Sequence, residues 1–124
     1  MFMVQSSSPS FLDRSESVSV TGRSFKLRLM SLANGCFLLV SEGSEERFGS
    51  LTLSMKIGER VEHTSMTPDM RAGVFAGVLA DLAASLCPGI TIVSLYVREE
   101  MRPETASDLL KRIRDFINAA RTSS

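Results

Sequence analysis

Ile90-Thr-Ile-Val-Ser-Leu-Tyr-Val97 carries large apolar residues on both of its alternating faces. Ile92 and Tyr96 fall on one side; Val93, Leu95 and Val97 fall on the other. A strand that is half exposed alternates apolar with polar, whereas one buried on both faces does not. This stretch therefore predicts a strand inside a sheet, and Cys36-Phe-Leu-Leu-Val40 reads the same way. Around them lie strands of ordinary period two. Val18 and Val20 alternate with Ser19 and Thr21 before Gly22 breaks the run. Phe25, Leu27 and Leu29 alternate with Lys26 and Arg28, and Leu51, Leu53, Met55 and Ile57 with Thr52, Ser54 and Lys56. Asn34-Gly35 is a strong hairpin signal, since both residue types tolerate positive φ. Glu42–Arg47 and Gly58–Met66 read as polar loops.

Two helices follow late in the chain. Thr67-Pro68-Asp69 suits a helix start: a capping hydroxyl, a proline fixed near helical φ, and an acid at the positive end of the dipole. Val74, Phe75, Val78, Leu79, Leu82 and Leu86 then recur at helical spacing, and Pro88-Gly89 stops the run. Pro103 opens a second helix with a stripe of Ala106, Leu109, Leu110, Ile113, Phe116, Ile117 and Ala120; Lys111, Arg112, Arg114 and Asp115 lie outside it. Gly73 and Gly77, one turn apart, predict close approach of the first helix to a neighbour, since an interior glycine costs roughly 1 kcal/mol relative to alanine.

The expected fold is α+β: an antiparallel β-meander sheet with two late α-helices packed on one face, in the order β-β-β-β-α-β-α. Residues 1–16 are Ser-rich and aperiodic and read as a mobile arm. Residues 17–124 form the single domain that a chain of 124 residues suggests.

Fourteen basic residues balance fourteen acidic ones, so nucleic acid is not the expected partner. No basic, apolar leader is visible at residues 1–10, and the longest apolar stretch, 72–86, contains Asp81 and is too short for a bilayer. Neither membrane nor secretory pathway is expected; the expected location is the cytoplasm, with the nucleus as a second compartment. Cys36 and Cys87 then read as buried reduced thiols. A disulfide between them stays open, because sequence does not show whether they meet.

The residues of an enzyme are missing. His63 is the single histidine, it sits in the polar run Glu62-His-Thr-Ser65, and no second His or placed Cys accompanies it for zinc. Glu45-Glu46 and Glu99-Glu100 are adjacent pairs whose side chains diverge in extended chain. There is no phosphate-binding glycine loop and no GxSxG elbow. No catalytic residue, metal or cofactor is assigned.

The strands suggest a partner instead. Two helices cover about one face of a five- or six-stranded sheet, yet 36–40 and 90–97 are apolar on both sides. No further element is left to cover the second face. A sheet from another subunit is the simplest cover.

The element order resembles the proteasome assembly chaperone 3/4 family, nearer to chaperone 3. The resemblance rests on His63-Thr-Ser-Met-Thr-Pro-Asp69 as a polar loop entering a helix, Val74-Phe-Ala-Gly-Val-Leu-Ala-Asp-Leu82 as that helix, Ile92-Val-Ser-Leu-Tyr-Val-Arg-Glu-Glu100 as the last strand, and Leu109–Ile117 as the final helix. It implies a non-enzymatic chaperone that dimerises through its sheet, as a homodimer or heterodimer, and binds proteasome α subunits to promote α-ring assembly. It also implies that the Phe25/Leu27/Leu29 and Leu51/Leu53/Met55 faces pack on helices or partner, and that the 58–67 loop reaches a client. The candidate partner-binding residues are Arg60, Glu62, His63 and Met66 in that loop, and Phe37, Leu39 and Tyr96 on the apolar strands. The competing reading is a roadblock- or longin-like dimeric scaffold that binds a GTPase or trafficking complex. A third, a small-molecule domain, would need a deep polar pocket around His63 with Glu59, Arg60 or Glu62.

Overall fold

The computed structural model describes residues 12–67 and 74–122. Six strands and two helices follow in the order β1 (Leu12–Val20), β2 (Arg23–Leu32), β3 (Gly35–Glu42), β4 (Ser50–Ile57), β5 (Arg60–Ser65), α1 (Val74–Leu86), β6 (Ile90–Tyr96) and α2 (Pro103–Thr122). The class is α+β with late helices, as the patterning predicts. The strands form one sheet in the spatial order β1-β2-β3-β6-β4-β5.

That order corrects the expected meander. β1-β2-β3 and β4-β5 are antiparallel runs, but β6 enters between them, parallel to β3 and antiparallel to β4. The sheet is therefore mixed. Its centre is β3 and β6, the two strands whose sequences are apolar on both faces. The chain reaches β6 only after crossing over through α1, and a crossover of this kind is how parallel strands are joined.

Two boundaries also move. β1 begins at Leu12, so Leu12–Glu16, read as part of the arm, pair with Leu27–Ser31 in the sheet. They look like linker because β1 is an edge strand whose residues 13–17 are all exposed. Residues 60–65, read as loop, form β5, again a polar edge strand, joined to β4 by a turn at Gly58-Glu59. Polar and charged edge strands resist pairing with foreign chains, and that same polarity hides their periodicity. Residues 1–11 of the expected arm, together with Pro68, Asp69 and Gly73 of the expected helix start, lie outside the described residues.

The β2–β3 hairpin is present, with Ala33 and Asn34 at its tip and Leu32 opposite Gly35. Gly35 is needed for proximity rather than for turn conformation. A Cβ there would stand 2.3 Å from the Ile90 carbonyl oxygen.

The core lies between the helices and one face of the sheet. Phe25, Leu27 and Leu29 of β2, Leu38 and Val40 of β3, and Val93 and Leu95 of β6 meet Leu79 of α1 and Leu109, Ile113 and Ile117 of α2. The expected stripe of α2 is the one that packs. The face of α1 differs from expectation: its buried residues are Phe75, Ala76, Leu79, Ala80, Ala83 and Ala84, while Val74 is 85% exposed, Val78 is exposed and Leu82 only half-buried. Alanines bring the helix close to β4, β5 and β6, and the strand it meets first, β4, is small and polar on that side. Gly77 serves the same approach, since a Cβ there would lie 3.0 Å from the His63 ring.

An ion pair fixes the link between the sheet and α2. Arg23 Nη2 and Nε donate to Glu42 at 2.7 and 3.0 Å, and its guanidinium also reaches the carbonyls of Glu99 and Glu100. Glu42 accepts the Arg98 N–H at 2.8 Å as well. The Arg23 hydrogen bond is the main reason that the Glu42 carboxyl sits below the usual carboxylate range.

Candidate functional site

Cross-strand neighbours share a face, so the register assigns every side chain. On the side away from the helices β2 places Lys26, Arg28 and Met30; β3 places Phe37 and Leu39; β6 places Ile90, Ile92, Ser94 and Tyr96. β4 completes the face with Leu51, Leu53, Met55 and Ile57. Its other side, toward α1, carries Ser50, Thr52 and Ser54, all buried. The polarity of β4 is thus inverted relative to β2. The larger apolar residues of β4 point away from the helix layer of its own domain.

The helix-free face has a centre and a rim. The centre runs across β3, β6 and β4 and is apolar apart from the buried Ser41 and Ser94. The Ser94 hydroxyl is satisfied by the Gly49 N–H at 3.0 Å. The loop before β4 folds back over one end, held by the Ser41 hydroxyl, which donates to the Glu45 carbonyl and accepts from the Arg47 N–H. This sets Phe48, 69% exposed, beside Phe37 with ring centroids 6.2 Å apart, and Arg47 above the Tyr96 ring. Met55, Ile57 and Ile90 are exposed as well. At the hairpin end Met30, Leu32, Phe37, Ile90 and Ile92 line a shallow apolar cavity of about 380 Å³.

Apart from Arg47 over the Tyr96 ring, the charge on this face lies toward its edges. On one side Arg28 bridges β1 and the loop, donating to both Asp13 oxygens at 2.8 and 2.9 Å and to Glu46 at 2.7 Å. Arg28 in turn holds the Glu46 carboxyl below its usual range. On the far edge Arg60 and Glu62 of β5 pair at 2.8 Å. An apolar centre with a polar rim is the anatomy of a protein-binding surface. Single exposed apolar residues are ordinary; a contiguous patch is not.

The structure sorts the candidate residues. Phe37, Leu39 and Tyr96 lie along the central strands of this face, Phe37 and Tyr96 half-buried and Leu39 buried, and Arg60 and Glu62 stand on its rim. His63 lies on the opposite side, where its Nδ1–H donates to Asp81 of α1 at 2.7 Å. Met66 is exposed beyond the end of β5, its N–H donating to the Leu51 carbonyl. Sequence reasoning did not single out Phe48, Ile90 or the outward direction of Leu51 and Leu53. Ile92 on the side of Tyr96 was the available signal; Phe48 in a charged loop gave none.

A cavity of about 420 Å³ does adjoin His63, between β4, β5 and α1, lined by Ser50, Thr52, Ser65, Val74, Gly77 and Asp81 among others. Glu59, Arg60 and Glu62 are not among its lining residues. Among the described residues no three His, Cys, Asp or Glu side chains gather as a metal site, and no helix is long and apolar enough to cross a membrane.

Comparison with known proteins bears on the fold. No known family's sequence profile matches the chain, and no curated protein matches it by sequence. Among solved structures, a chain from a novel chaperone complex for yeast 20S proteasome assembly superimposes with a TM-score of 0.63 at 13% identity, over 90% of this chain and 97% of that one. The chain shares the fold of that yeast chaperone subunit along nearly its whole length.

Proposed function

We propose that this protein is a non-enzymatic proteasome assembly chaperone. It pairs through the helix-free face of its sheet with a second subunit of the same fold, either another copy or a different chain. The pair binds proteasome α subunits and promotes α-ring assembly. The observation that carries this reading is the inverted β4. Leu51, Leu53 and Met55 make sense facing outward only if something apolar covers them, and a second sheet stacked face to face is the geometry that buries a flat strand surface. The yeast subunit of shared fold, itself part of a complex for 20S assembly, supports the choice of pathway. The rim residues Arg60 and Glu62, with Met66 beyond them, lie outside the apolar centre and remain available to a client when the face is covered. The site of action is the cytoplasm, with the nucleus as a second compartment.

The test is affinity purification of the tagged protein from its own cells, with identification of what it retains. Proteasome α subunits together with a small subunit of the same fold are expected. GTPases or trafficking subunits in their place would contradict the proteasome reading while leaving the paired sheet intact.

A further inference from the structure

α1 is more apolar than a helix with one buried face needs to be. Within Val74–Leu86 only Asp81 and Ser85 carry polar side chains. A helix that is apolar all round is ordinarily covered all round. Here one side packs on the sheet, while Val78, one turn from Leu82, is 45% exposed. Val78 and Leu82 face Leu110 of α2 across a groove of about 290 Å³. Leu82 and Leu110 are half-buried, and Leu110 rests on the core beneath it.

The outer edge of the groove belongs to α2. Ser107, Lys111 and Arg114 line it, all exposed, at the three- and four-residue spacing that sets side chains on one side of a helix. Among the described residues that line the groove none is acidic. Lys111 forms no ion pair with a described residue, and Arg114 pairs with Asp115, its neighbour in sequence, only at 3.9 Å. The one acid of α1, Asp81, is turned to His63. The groove thus joins an apolar floor to two poorly compensated positive charges along one edge.

These features select the occupant. The volume is below that of an ordinary small-molecule pocket. A cleft between two helices accepts a third helix whose side chains at helical spacing fill it. The basic edge calls for acids beside that apolar row. The chain's own segments fit less well. Residues 1–11 include Phe2, Met3 and Val4 but no Asp or Glu. A second copy would bring an α1 whose acid is already engaged, or an α2 whose apolar stripe is buried in its own core.

We propose that the α1–α2 groove docks an amphipathic helix of another protein, with an apolar row against Val78, Leu82 and Leu110 and acidic side chains against Lys111 and Arg114. The groove lies on the helix side of the sheet, so the helix-free face can be covered at the same time. The inference depends on neither the paired sheet nor the proteasome reading.

The experiment titrates the isotope-labelled full chain with a synthetic helical peptide of about 18 residues. The peptide carries leucines at three- and four-residue spacing and glutamates along one edge of that row. Saturable binding below about 1 mM is expected, with amide signals moving at Val78, Leu82, Leu110 and Lys111 and not at Phe37 or Leu53. Lys111→Glu combined with Arg114→Glu should weaken binding about tenfold and leave thermal unfolding unchanged, since both side chains are exposed. A peptide with lysines in place of the glutamates should show the reverse preference, binding the double variant about tenfold better than wild type. Val78→Ser should weaken both peptides about fivefold. Absence of saturable binding, equal affinity of wild type and double variant for the glutamate peptide, or signals that move on the helix-free face would overturn the proposal. Groove signals that shift with protein concentration alone would overturn it in favour of a second copy. Peptide binding that appears only once residues 1–11 are removed would overturn it in favour of the chain's own N-terminal segment.

Discussion

β2 and β4 have nearly the same pattern and opposite fates. Each alternates large apolar residues with polar or charged ones. β2 turns Phe25, Leu27 and Leu29 into its own helix layer, whereas β4 turns Leu51, Leu53 and Met55 away from it and offers the helices Ser50, Thr52 and Ser54. Two strands of one sheet have two different apolar destinations. The apolar side of β2 is buried inside the domain, while that of β4 faces outward, where the proposed second sheet would cover it. Between them β3 and β6 serve both, which is why their sequences are apolar without alternation.

The largest expected effect separates these roles. Leu27→Ala, at a fully buried position, should lower unfolding stability by about 3 kcal/mol through lost transfer energy and a cavity. Leu53→Ala should change the stability of the dissociated chain by less than about 1 kcal/mol. Urea unfolding at submicromolar concentration checks both. Equal losses would mean that β4 is as much a part of the internal core as β2.

The next effect sharpens the β2 side. Glu42→Ala should cost about 2 kcal/mol, because it strands the half-buried Arg23 guanidinium and the Arg98 N–H. The same pair has a pH signature. The folded Glu42 carboxyl is held below its ordinary range, so its contribution is present above the unfolded value of about 4.3 and is lost as pH falls through the folded one. The stability gap between wild type and Glu42→Gln should therefore be widest near neutrality and close in acid. A gap that stays constant across that range would remove Glu42 as the titrating group.

The smallest effect belongs to the β5 side. His63→Asn should cost less than about 1 kcal/mol, since both His63 and Asp81 are more than two-fifths exposed and well solvated. Thermal unfolding reads it. A loss of several kcal/mol would show that this contact, rather than alanine packing, holds α1 to β5.

The same contrast explains what the sequence made legible. The stripe of α2 was readable because five turns of helical periodicity admit one buried face. The central position of β3 and β6 was readable because Phe37, Leu39, Ile92 and Tyr96 leave those strands no polar side. The direction of β4 was not, because alternation has two faces and names neither. β1 and β5 were missed in part because edge strands with charged and serine-rich faces look like linkers. The parallel pairing of β3 with β6 depends on partners some fifty residues apart, which no local pattern encodes. Of the candidate residues, Phe37, Leu39 and Tyr96 share the helix-free face, a placement that the lack of alternation allowed, and Leu39 is itself buried. The sequence assigns His63 no face, because a residue read as loop has none; in β5 it faces α1 and pairs with Asp81.

The central claim is that a second sheet covers the helix-free face, and sedimentation equilibrium of wild type and Leu53→Asp tests it most directly. Each is run alone and with the small subunit that co-purifies with wild type. Wild type should sediment as a dimer, with itself or with that subunit, while Leu53→Asp stays folded and monomeric in both mixtures. Wild type that remains monomeric throughout, or a Leu53→Asp protein that pairs as wild type does, would contradict the account.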